Sequence, residues 1–143
     1  MGSTYETDFY GWIQEQAALL RAGRFAALDV EHLIEEVEGM GKGEKRELLS
    51  RLAVLLAHLL KWHFQPGLRS RSWSATIKEQ RKMMDLLLKD NPSLKAQLGS
   101  LLTDAYEVAV LSAERQTGLS ESAFPASCPY TPEQITDDGF WPD

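Results

Sequence analysis

The 143-residue chain has one cysteine, Cys128. A disulfide within the chain needs two thiols and a thiolate metal cluster needs several, so both are excluded. No apolar run reaches the ~20 residues of a membrane-spanning helix. The opening residues, MGSTYETDFY, lack a basic stretch followed by an apolar core. Glu6 stands where a myristoylation signal has Ser or Thr. A cytoplasmic protein without membrane association is the expectation. Cations are the minority charge, 15 Lys and Arg against 21 Asp and Glu, for a net charge of −6. Nucleic-acid affinity rests on neutralising phosphates, so an acidic chain is a poor default binder.

Catalytic and metal signatures are also missing. There is no Gly-x-Ser-x-Gly elbow, and GMGKGEKRE lacks both a preceding strand and the Gly-Lys-Ser/Thr ending of a phosphate loop. Di-iron bundles use Glu-x-x-His, but the residues three before His32, His58 and His63 are Asp29, Leu55 and Leu60. The cluster Glu31, His32, Glu35, Glu36 and Glu38 offers oxygen and nitrogen donors. Yet Glu31, Glu35 and Glu38 point away from the apolar side of their helix, which reads as a solvated acidic face, and His32 with Glu36 as a helical pair. No metal and no cofactor is expected. Cys128, between Ser127 and Pro129, has no neighbour that would activate a thiolate and reads as a buried structural thiol.

What is present is helical periodicity. Apolar residues make up 43% and charged residues 25%, an ordinary globular balance. Ser3 and Glu6 have capping-box spacing before Phe9, Trp12, Ile13, Ala17 and Leu20, and Gly23 closes this first helix. Asp29 caps a short second helix whose Val30, Leu33, Ile34, Val37 and Met40 share one side. Gly39, Gly41 and Gly43 are expected to break or kink the chain. A third helix runs from about Lys42 to Phe64 and stops before Pro66-Gly67. Ser72 caps a fourth, to about Lys89. Asn91-Pro92 starts a fifth, closed near Gln116 by Gly118. The remainder, 118–143, carries a short helix begun by Thr131-Pro132-Gln134 and packs as an extended tail. The reading is all-α: an antiparallel bundle of four long helices plus one short helix, in one domain spanning 1–143.

Polar residues interrupt these stripes. In LLAHLLKWHFQP, His58 and Lys61 fall at about 100° per residue on the same side as Glu44, Glu47, Arg51 and Gln65. They read as a partly solvated stripe opposite Leu48, Leu49, Leu52, Leu55, Leu56, Leu59 and Leu60. His63 falls within the apolar arc near a helix end, which favours a structural role. Gln16 and Gln80 each take a place where a leucine is expected. A buried amide without a partner costs about 1–3 kcal/mol, so each should be hydrogen-bonded. Arg81, His58, Tyr10, Tyr106 and the indoles of Trp12, Trp62 and Trp73 are the candidate partners. One buried cluster linking Gln16, Gln80 and Arg81 with Trp12, Trp73 or His58 is expected, as a structural device or as the lining of a pocket.

The stretches YETDFYGWIQEQAALLRAGRFAALD, HLIEEVEGMGKGEKREL, LLAHLLKW, SWSATIKEQRK, DNPSLK and FPASCPYTPEQI span nearly the whole chain in order. Together they resemble a family common in cyanobacteria and proteobacteria, catalogued as domain of unknown function number twenty-nine. The resemblance implies an all-helical single domain with an unassigned function. It carries no catalytic residues, and its motif positions include Trp12, Gln16, Glu35, Glu36, His58, Lys61, Trp62, Trp73 and Arg81.

Three functions follow as expectations. The favoured one is a small interaction or regulatory module binding another protein. The second is an enzyme or metal protein using Glu35 or Glu36 with His58. The third is a nucleic-acid binder through the basic segment 61–82, where Arg69 and Arg71 accompany Trp62, Phe64 and Trp73. Against it, Trp73 points with its helix's core stripe, and Lys78 and Lys82 lie on the outer face. The sequence leaves the oligomeric state open.

Overall fold

Stripes spaced three and four residues apart are buried by helices lying side by side, and helices are what form. The computed structural model describes residues 4–143. Its helices are α1 (Phe9–Arg21), α2 (Val30–Phe64), α3 (Arg71–Asp90), α4 (Leu98–Thr117) and α5 (Pro132–Thr136), with short 3-10 turns between them. There is no strand among the described residues, so the expected all-α class holds. The chain divides into two compact units, Met1–Gly43 and Glu44–Asp143.

In the first unit, Asp8 caps α1 by accepting from the Gly11 amide at 3.0 Å. The expected cap Ser3 lies outside the described residues. Gly23 follows α1 with φ 72°, a left-handed conformation that a side chain resists. The start of α2 then returns antiparallel to α1. Gln16 and Trp12 both bond to Asp29, and Tyr5 bonds to Glu36. Trp12 and Gln16 are the buried residues of α1.

α2 corrects the expected break. The second and third helices are one helix of 35 residues, continuous through Gly39, Gly41 and Gly43. None of the three has positive φ. Each costs about 1 kcal/mol relative to alanine. Propagating an existing helix through them avoids a second costly nucleation.

In the second unit, Leu48, Leu52, Leu55, Leu56, Leu59 and Leu60 of α2 are buried against Ile77 and Met84 of α3 and Ala105, Tyr106 and Ala109 of α4. This is the expected leucine arc, with Leu49 partly buried at its edge. α3 starts two residues earlier than expected. Ser70, not Ser72, accepts from the Trp73 amide at 3.2 Å. Asn91-Pro92 opens a 3-10 turn, Pro92–Gln97, before α4 begins. Gly118 closes α4 with φ 78°, and Thr131 and Gln134 form a full capping box on α5. The tail packs onto this unit: Phe124, Tyr130 and Ile135 are buried, and Tyr106 donates to Pro125 O at 2.6 Å.

Candidate functional site

The first unit is organised around Asp29. Its position at the start of α2 leaves the carboxylate free to accept, from the His32 amide at 3.4 Å and from the Trp12 indole at 2.9 Å. His32 Nδ1 lies 2.7 Å from the same carboxylate. The Asp29 amide donates to Gln16 Oε1 at 2.8 Å. The Tyr5 ring stacks on His32 at 4.1 Å, and its phenol donates to Glu36. These contacts have electrostatic consequences. The His32 bond holds the Asp29 carboxyl below its usual range, and the Asp29 carboxylate raises His32. Glu36, as acceptor, raises the Tyr5 phenol to about 12.

An aspartate orienting a histidine is the arrangement that activates a nucleophile. Here the other ring nitrogen, Nε2, lies 3.8 Å from the Glu6 carboxylate. Among the described residues, no hydroxyl or thiol is hydrogen-bonded to it, and no group of three acid, histidine or cysteine side chains is placed to hold a metal. What the cluster does chemically is pin α1 to the start of α2.

Around that polar cluster the apolar stripes are open, against expectation. Ile13 is 39% exposed, Leu20 49%, Val30 54%, Ile34 51%, Val37 60% and Met40 65%. Two helices can each turn only one sector toward the other. Trp12 and Gln16 of α1 and His32 of α2, with the Tyr5 ring against Trp12 and His32, take up that sector, so the remaining apolar residues face outward.

Glu35 apart, each expected polar residue bonds to a partner within its own unit. Gln16 is buried but serves Asp29. Gln80 is buried and accepts from Arg51 at 3.5 Å, the outer limit for such a bond. Lys61 is buried rather than partly solvated. Its ammonium donates to Gln116 Oε1 at 2.6 Å and sits 4.8 Å from the Trp73 ring, and burial lowers its pKa. His58 bonds to Val54 O at 2.9 Å, the carbonyl one turn back in its own helix, and burial lowers it too. Glu36 accepts from Tyr5, and Glu35 is exposed. His63 bonds to the Tyr130 hydroxyl at 3.0 Å.

Arg81 holds the tail. Its Nε donates to Ile135 O at 2.9 Å, its Nη2 to Gln134 O at 3.3 Å, and its guanidinium lies 5.7 Å from the Trp141 ring. Nη1 is buried with no hydrogen-bond partner among the described residues. Arg69 stacks on Trp62 at 4.9 Å and reaches Pro142 O at 3.3 Å, and Trp141 packs on Trp62 at 4.8 Å. An open cleft of about 1060 Å³ borders Arg81. Its wall carries both signs, with Asp85 paired to Lys89 at 3.0 Å and with Glu133 and Lys95 also in the lining. Burial raises the Cys128 thiol, which donates to Tyr130 O.

Sequence reasoning missed Asp29 as a hub and Tyr5 altogether. The Asp29-to-His32 spacing of a helix cap was the available signal for the first. Nothing local marks Tyr5.

No helix among the described residues is long and apolar enough to cross a membrane. Residues 4–141 match the family described as Domain of unknown function DUF29, and the chain belongs to that family. No curated protein and no solved structure matches it.

Proposed function

We propose that this DUF29 protein is a docking module that binds another protein through the open apolar stripes of its first unit. The observation that carries this reading is the exposure of Ile13, Leu20, Val30, Ile34, Val37 and Met40 on two short helical segments. A unit of about 40 residues buries little of its own surface, and clustered exposed apolar side chains mark interaction sites. Exposed apolar residues in the second unit, such as Val54, Leu86 and Leu111, are spread over three helices, the ordinary scatter of a protein surface.

The other readings draw less support. Glu36 and His58, offered as a catalytic pair, have hydrogen bonds to Tyr5 and to Val54 O. Of the cations in the basic segment, Lys61, Arg69 and Arg81 are held by intramolecular bonds, leaving Arg71, Lys78 and Lys82 exposed. The test is a pair of solvent-facing changes, Ile34→Glu with Val37→Glu. Co-purification of a specific partner should be lost while helicity and thermal midpoint stay unchanged. Retention of that partner by the double variant would refute the reading.

A further inference from the structure

We infer that the occupant of this face is a basic amphipathic helix of another protein. The inference rests on the docking reading above and adds the partner's shape and charge.

Shape comes from spacing. Val30, Ile34 and Val37 recur at four- and three-residue intervals, and Phe9 and Ile13 are four apart, with Leu20 one heptad beyond Ile13. A row of apolar side chains at alternating three and four is the seam into which the side chains of another helix interdigitate. Strand addition would need free backbone donors, and α1 and α2 spend theirs within the helices.

Charge comes from the flanks. Residues 1–43 hold eight acids and three bases, a net −5 out of the whole chain's −6. Turned away from Val30 and Val37, Glu31 and Glu38 border the stripe on its Ile34 edge, within about a quarter-turn of that residue around α2, and Glu35 lies beyond them on the same side. All three are exposed, and among the described residues none is ion-paired. A second copy of this chain would set two such acidic flanks against each other across a low-dielectric seam. Lysines and arginines flanking an apolar stripe would neutralise them.

The probe is a synthetic helical peptide of about three heptads with Leu at the seam and Lys at the flanking positions, compared with a sibling carrying Glu in place of Lys. Anisotropy with the full chain at about 20 mM salt should show the Lys peptide binding about ten-fold tighter than its sibling. That gap should shrink at about 300 mM, as the Debye length shortens. Ile34→Glu with Val37→Glu should abolish binding of the Lys peptide. Equal affinity for the two peptides, no binding of either, or binding indifferent to the double variant would each overturn the inference. So would a concentration-dependent dimer in sedimentation that the double variant dissolves, which would make a second copy the occupant. If the peptides fail but co-purification still depends on Ile34 and Val37, docking stands and the basic helix falls. If both fail, the docking reading falls as well.

Discussion

Gly39, Gly41 and Gly43 sit inside one continuous helix, and an added Cβ at each would meet nothing within 4 Å. Their φ angles are negative, so alanine fits without backbone strain. Each Gly→Ala change should then stabilise this stretch of α2 by about 1 kcal/mol, partly by restricting the unfolded chain. Local opening that exposes amides 39–43 should become about five-fold rarer per substitution, and on the order of 100-fold rarer for the triple variant, since 1.4 kcal/mol is a factor of ten. Amide hydrogen exchange resolved to this segment reads the effect directly, with protection rising stepwise from one alanine to three. Unchanged or faster exchange in the triple variant would refute a continuous α2 and restore the break that the glycines suggest from sequence.

Leu56 is 0% exposed, so Leu56→Ala should destabilise the second unit by about 2–5 kcal/mol, whereas Lys78→Ala should change it by less than about 0.5 kcal/mol. Equal urea midpoints for the two variants would contradict the assigned helix face. The Asp29–His32 pair also gives the first unit a pH dependence. His32 is raised, so its contribution is complete below the ordinary histidine value of about 6.5 and fades as pH rises through its higher folded value. Asp29 is lowered, so its contribution is complete above about 4 and fades as pH falls through its lower folded value. Protection of amides near Asp29 should therefore peak between about pH 4 and 6.5. A His32 ring signal titrating below about 6.5, or a profile unaltered by His32→Asn, would show the pair is not the cause.

Much of the second unit is legible in the sequence because its leucines have neighbours to meet. The arc from Leu48 to Leu60 reads as a core face and is one. The same reasoning misjudged Ile13, Val30 and Val37, because periodicity identifies an apolar face without saying whether the chain supplies anything to cover it. Lys61 shows the converse. Its place on the polar stripe is correct by angle, but Trp73 of α3 and Gln116 close over it, a tertiary event invisible to local pattern. Gln16 and Gln80 announce themselves as buried amides by sitting in apolar stripes. Their partners, a backbone amide at Asp29 and the Arg51 guanidinium, depend on chain geometry that spacing does not encode. The glycines misled for a related reason: low propensity locates a weak point in a helix, while cooperativity decides whether the helix stops there.

Docking through the first unit is tested most directly by placing a photo-crosslinking residue at Val37 and, in a separate variant, at the comparably exposed Leu111 of α4. Irradiation in lysate of the native source should give a discrete heavier adduct from Val37 that competes away when unlabelled protein is added, and none from Leu111. No adduct from Val37, the same adducts from both sites, or a Val37 adduct of two copies of this chain would contradict binding of another protein at the open stripes.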